Sequence, residues 1–120
     1  LLAIPPTESV LAYQELHEKN IKSDHPYCQV AIEYEIERIS VEFGPVLIAT
    51  CIKSLGSDVI ARLEFIPEHI KLDVGHTKLG AMLMEKTLSS IPDSLDPMAH
   101  AGSEALNIYQ RYLGDCIKTT

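Results

Sequence analysis

The chain has 120 residues, 46% of them apolar and 22% charged, with a formal net charge of −7 from 10 basic and 17 acidic residues. That composition belongs to a folded domain rather than a disordered one. The acidic balance, with no basic stripe carrying aromatics, argues against nucleic acid as a partner. No apolar run reaches the roughly 18 residues of a membrane span, and Leu1-Leu2-Ala3-Ile4 lacks the basic start of a secretory leader, so neither membrane insertion nor export is expected.

Pro5-Pro6-Thr7-Glu8 reads as a helix start, with Thr7 as N-cap and Glu8 in the first turn. Val10, Leu11, Tyr13 and Leu16 recur at helical spacing, and the helix runs to about Lys22. Ser23-Asp24-His25-Pro26 breaks it, and His17 and His25 read as surface or capping residues.

A second helix begins near Pro26. One stripe carries Cys28, Ile32, Ile36, Ile39 and Phe43; another carries Val30, Tyr34, Glu37 and Val41. Glu37 therefore takes a slot whose helical neighbours are apolar and is expected to face inward, whereas Glu33 and Glu35 read as solvated. Gly44-Pro45 should kink or restart the helix. Residues 46–55 form a short, strongly apolar stretch expected to be buried and to stop at Gly56.

Ser57-Asp58 caps a segment from Val59 to about Phe65, and Pro67 reads either as the first-turn residue of a new helix or as a kink in a continuous one, which runs to about Ser90. In it His69, Asp73 and His76 stand at i, i+4 and i+7, within an arc of about 60° at roughly 100° per residue. The same face continues through Phe65, Leu79 and Leu83, so two imidazoles and a carboxylate interrupt an apolar stripe. A buried carboxylate needs charge compensation. A metal ion supplies it, and two His with a carboxylate suit iron, manganese or zinc. Glu37, from the other helix, is positioned to join them. A hydrogen-bonded His-Asp-His trio without metal is the competing reading. Gly75 and Gly80 each cost about 1 kcal/mol relative to Ala inside a helix, which implies close approach of a neighbouring helix or a ligand.

Ile91-Pro92-Asp93-Ser94 is a stop, and Asp96-Pro97 opens the last helix, with Met98, Ala101, Ala105, Tyr109, Tyr112 and Cys116 as its core stripe and His100 outside it. No stretch alternates with period two. The expected fold is all-α, a bundle of about five helices forming one domain over residues 1–120. Cys28, Cys51 and Cys116 form no CxxC and no even framework; they read as small buried hydrophobes in a reducing, cytoplasmic setting.

Phe65-x3-His69-x3-Asp73-x2-His76 resembles the C-terminal metal motif of the heme-oxygenase-like diiron oxidases and oxygenases. Ala31-x2-Tyr34-x2-Glu37-x2-Ser40, with Glu37 lying 32 residues before His69, resembles the Tyr-x2-Glu segment of the same superfamily. The resemblance covers roughly residues 5–118, including a last helix with Ala105, Tyr109 and Leu113. It implies that Glu37, His69, Asp73 and His76 are iron ligands. It also implies two irons, with O2 as co-substrate, acting on a small amine, amino acid or fatty acid. Leu72, Leu79, Met82 and Leu83 would then be walls of the substrate cavity. The family's further Glu and His, on an earlier helix, have no counterpart here. Glu15 and His17 lie on faces about 200° apart and too near Glu37. The chain thus resembles the later part of a larger heme-oxygenase-like domain, whose apolar faces would associate, as in a homodimer, or unfold.

Other functions stay open at this level. Heme oxygenase would need a proximal His on the family's first helix, absent here. A thiaminase-type hydrolase would need an activated cysteine, and Cys51 has no evident base beside it. A helical interaction module with a structural or lost metal site is the non-enzymatic alternative. Arg38, Arg62, Lys71 and Arg111, the cations that could meet a charged substrate, read as solvated.

Overall fold

The computed structural model describes residues 5–118; Leu1 to Ile4, discussed above for a leader, lie outside the described residues. Helix α1 spans Glu8–Lys22. The Thr7 hydroxyl accepts from the Val10 amide at 3.4 Å, the expected cap. Helix α2 spans Cys28–Leu55 and is followed by a 3-10 segment, Ser57–Arg62. Helix α3 spans Phe65–Ser90, a short 3-10 turn covers Pro92–Ser94, and α4 spans Leu95–Lys118. No strand occurs among the described residues. The fold is all-α, as the helical periodicity requires.

Helix α2 lies at the centre, packing on α3 along one side and on α4 along the other, while α1 packs mainly on α4. The core sits at the end where α1, α2 and α4 meet. It consists of Leu16, Cys28, Ala31, Ile32, Met98, Ala101, Ala105 and Ile108. Small residues let the α2 and α4 backbones close up: a Cβ at Gly102 would sit 3.5 Å from the Ala31 carbonyl oxygen.

Three features differ from the sequence reading. The helix does not restart at Gly44-Pro45; α2 runs through, with Pro45 inside it. Packing accounts for this, because a Cβ at Gly44 would overlap the Ile70 side chain, so α3 presses on α2 at that point. Residues 46–55 are not buried: Val46, Leu47, Ile52 and Leu55 are exposed. The buried core takes from α2 only Cys28, Ala31 and Ile32, so it does not extend to that half of the helix. In α4, Ile108 and Gly102 are buried while Tyr112 and Cys116 are exposed, so the core stripe ends about two turns early. Of the cysteines only Cys28 is fully buried.

The molecule is thin for its length. Its extents are 49 × 31 × 20 Å, and 20 Å is about two helix diameters. It exposes 8715 Å², roughly 2200 Å² more than a compact chain of its mass would leave accessible.

Candidate metal centre

Helix α3 has 26 residues and its one fully buried residue is a charged one, Asp73. The helix geometry explains why. Ile66, Ile70, Asp73, Thr77, Gly80, Met84, Thr87 and Leu88 are among its less exposed positions. They define an inward face centred, at roughly 100° per residue, about 100° round from Phe65. Asp73 falls close to that centre, His69 nearer its edge, and His76 furthest out. The helix is held there by close packing on α2, where a Cβ at Gly80 would meet Tyr34 Cδ2 at 3.2 Å.

Glu37, Asp73 and His76 bring one donor atom each to within 4.8 Å of one another, a group able to hold a metal ion. His76 Nδ1 lies 3.1 Å from Glu37 Oε1 and 3.5 Å from Asp73 Oδ1. Glu37 is inward-facing, with 23% of its side chain exposed; His76 is half open to solvent. Burial pushes the Glu37 carboxyl above its ordinary range. The His76 ring works against that shift, and the carboxylates of Asp73 and Glu33 reinforce it.

His69 does not join the group. Its ring stacks on Phe65 with centroids 3.7 Å apart. Its Nδ1–H donates to the Phe65 carbonyl oxygen at 3.1 Å. That bond fixes the proton on Nδ1 and leaves Nε2 as an acceptor, the tautomer in which a histidine can ligate a metal. Three of the four residues singled out by sequence thus converge, and the fourth stands on the same face with its ring turned aside.

The three donors sit in an open cleft of about 1050 Å³. Its floor is α2, through Ile36, Ile39, Ser40, Phe43 and Leu47; one wall is α3, from Phe65 to His76, and the other is α4, through Leu106, Tyr109, Gln110 and Leu113. Leu72 lines it. Leu79, Met82 and Leu83 do not, and they stand exposed further along α3, beyond the reach of this cleft. Glu33, one turn before Glu37, lines the cleft and is itself exposed. The residues lining the cleft include three carboxylates and two imidazoles but no Lys or Arg. Arg38 instead forks between Glu35 and Glu42.

The sequence did not mark the α4 wall, because Leu106, Gln110 and Leu113 have ordinary helical spacing and nothing links them to α3. His17 also differs from its surface reading. It is partly buried between α1 and α2, where Gln29 Nε2 donates to its Nδ1 at 2.6 Å and Tyr13 packs edge-on. His25 and His100 are exposed, as expected.

Among the described residues no helix is long and apolar enough to cross a membrane. The fold and the site define a class: an all-α bundle with a carboxylate–histidine group shared by two packed helices. Comparison with protein-family models, with curated proteins and with solved structures finds no match to the chain.

Proposed function

We propose that the chain binds a redox-active divalent metal, iron first, at Glu37, Asp73 and His76, with His69 turning in to complete the set. Its activity on this reading is O2-dependent oxidation of a small organic substrate. The observation that carries the metal is Asp73. It is buried, lies beside a second carboxylate, and opens on a cleft with no cationic side chain. Such an arrangement needs a cation to offset its charge. The donor chemistry fits, since oxygen donors with one or two imidazoles suit iron, manganese and zinc. The resemblance of the Phe65–His76 motif to diiron oxidases directs the choice to iron and O2. Three donors, four with His69, fit one metal; the two irons of that family require donors beyond this set.

Iron held there would supply the electrons and the open position that O2 chemistry requires. The chain's own residues have simpler tasks. Glu37 and Asp73 fix the cation between α2 and α3. The Phe65 carbonyl holds the His69 proton on Nδ1. Leu72, Ile36 and Phe43 give the substrate an apolar surface. The carboxylates favour a substrate amine over a free carboxylate, which would find no cation from the chain. A helical interaction module is the second reading, favoured by the exposed apolar side chains around the cleft.

The test is anaerobic ferrous titration followed by O2, read by metal analysis and visible absorption, and repeated on Asp73→Asn. Iron bound in stoichiometric amount, with an O2-dependent band lost in the variant, is the expected result. No iron, or a redox-inert zinc alone, sinks the enzyme reading and leaves the interaction module.

A further inference from the structure

Helix α3 carries a second pattern, which runs through the two imidazoles and on beyond them. Phe65, His69, Leu72, His76, Leu79 and Leu83 follow one another at steps of 4, 3, 4, 3 and 4. That is the a/d alternation of a heptad seam, the period by which one helix lies along another. Yet the seam is uncovered. Phe65 is 69% exposed, Leu72 55%, Leu79 54% and Leu83 41%, and His69 is exposed as well. Inside its own chain α3 packs through a different face, about 100° round.

Gly75 adds an independent observation. It lies in the middle of α3, and a Cβ built on it meets nothing within 4 Å. Gly80 has a packing reason, Tyr34; Gly75 has none within the chain. A mid-helix glycine gives up about 1 kcal/mol of helix stability, and Gly75, midway along the seam but about 80° round from its midline, flanks it on the side away from the inward face, where a missing side chain lets a second helix come close.

We propose that the uncovered seam is a dimer interface, in which α3 of a second copy lies antiparallel along α3, with Gly75 of each copy flanking the middle of the contact. Matching a to d positions in that direction sets Phe65 against the partner's Leu83, His69 against its Leu79 and Leu72 against its His76. The partner's residues 72–83 then lie along the stretch of α3 that walls the cleft. Leu79 and Leu83, which miss their own chain's cleft, line the partner's; Met82, about 100° round from the seam, does not.

A parallel pair would set imidazole against imidazole at His69 and His76 and leave Leu79 and Leu83 away from both clefts. The area also suits: the roughly 2200 Å² by which the chain exceeds a compact one is well over the ~800 Å² per partner of a standard interface. The seam itself carries no carboxylate, so the net charge of −7 does not fall on the contact.

This proposal does not depend on a metal, and its test is run in chelator so that the two readings can fail separately. Sedimentation equilibrium of the full chain should give a two-chain mass. Leu79→Glu with Leu83→Glu should weaken association on the order of a hundredfold or more, since two charges would enter an apolar contact. Both positions are exposed in the single chain, so helicity by circular dichroism should hold. In a background of Cys51→Ser and Cys116→Ser, Gly75→Cys should form an interchain disulfide on mild oxidation, and Ala81→Cys, on the side of α3 turned away from the seam, should not. That cross-link decides the matter if the glutamate variant loses helicity. A monomeric wild-type mass, association only with some other protein, a dimer indifferent to both glutamates in a folded variant, or equal cross-linking at both cysteine positions overturns the proposal.

Discussion

Replacing Asp73 by Asn keeps the shape of the side chain and removes its charge. In the metal-free protein Asp73 and Glu37 place carboxylate oxygens within 4.8 Å. Two unit charges at that distance repel by about 3 kcal/mol at an effective dielectric constant of 20. The neighbouring His76 ring offsets part of this, so Asp73→Asn should stabilise the apo protein by about 1–3 kcal/mol. For a chain of this size that is roughly 4 °C in Tm per kcal/mol. With metal the sign reverses. A ligand at a hundred times its Kd stabilises the native state by about 2.7 kcal/mol, and the variant should forfeit that increment.

The assay is thermal or urea unfolding at fixed protein concentration, with chelator and then with ferrous, manganous or zinc ion. Glu37 supplies a pH control. Its folded carboxyl is raised above the unfolded 4.5, so the folded state holds its proton more tightly. The associated stability is full below 4.5 and is lost as pH rises through the raised folded value. The apo protein should thus be less stable at neutral than at mildly acidic pH, and metal should remove the difference. If Asp73→Asn destabilises the apo protein, and does so only while His76 is protonated, the trio is an internal ion cluster and the argument for a metal falls.

Three other outcomes follow from the structure. Ile32 is completely buried at the centre of a small core, so Ile32→Ala should cost about 2–5 kcal/mol in urea unfolding, and a loss under about 1 kcal/mol would mean the core lies elsewhere. Thiol labelling should reach exposed Cys116 first, Cys51 later, and Cys28 only on unfolding, because burial hides the Cys28 thiol and raises its pKa; native labelling of Cys28 at the rate of Cys116 would contradict the fold. Burial, reinforced by Glu33 and Glu37, pushes the Tyr13 phenol from 10.0 up to about 12. Its contribution to stability is present below pH 10 and lost as pH rises through about 12, so Tyr13→Phe should remove the latest phase of a near-ultraviolet tyrosine titration; an unchanged titration would contradict the packing of α1 against α2.

The helices were legible because their ends are chemical. Thr7 caps α1, Gly56 takes φ 88° to end α2, and Ile91-Pro92 stops α3. Glu37 was legible from Tyr34 and Val41, apolar neighbours on its face. What spacing could not give is a partner. Residues 46–55 looked buried because they are apolar, but burial requires a covering element, and the buried core does not extend to that end of α2. Leu79 and Leu83 share the stripe of the metal-like residues. The close contacts Gly44–Ile70 and Gly80–Tyr34 rotate α3 so that this stripe points outward. His69 was assigned to the right face, but a face does not fix a rotamer, and stacking on Phe65 decides where its ring lies.

Core and site occupy different ends of the molecule, and this links the two proposals. The buried residues that give the chain its stability lie among α1, α4 and the first half of α2. The donor group lies between α2 and α3, where Asp73 is buried but His76 remains half exposed and His69 is turned away. Solvent on that side weakens every electrostatic contact the donors make. A second α3 laid across the seam would exclude water from both imidazoles and confine His69 to a narrower space. Such covering strengthens a cation's attraction to Glu37 and Asp73, and by linkage the cation must then tighten the dimer by the same factor. Association in chelator and association in metal therefore measure one coupling from its two sides. A dimer whose dissociation constant ignores saturating metal would mean that the seam and the centre, though they share His69 and His76, are energetically separate.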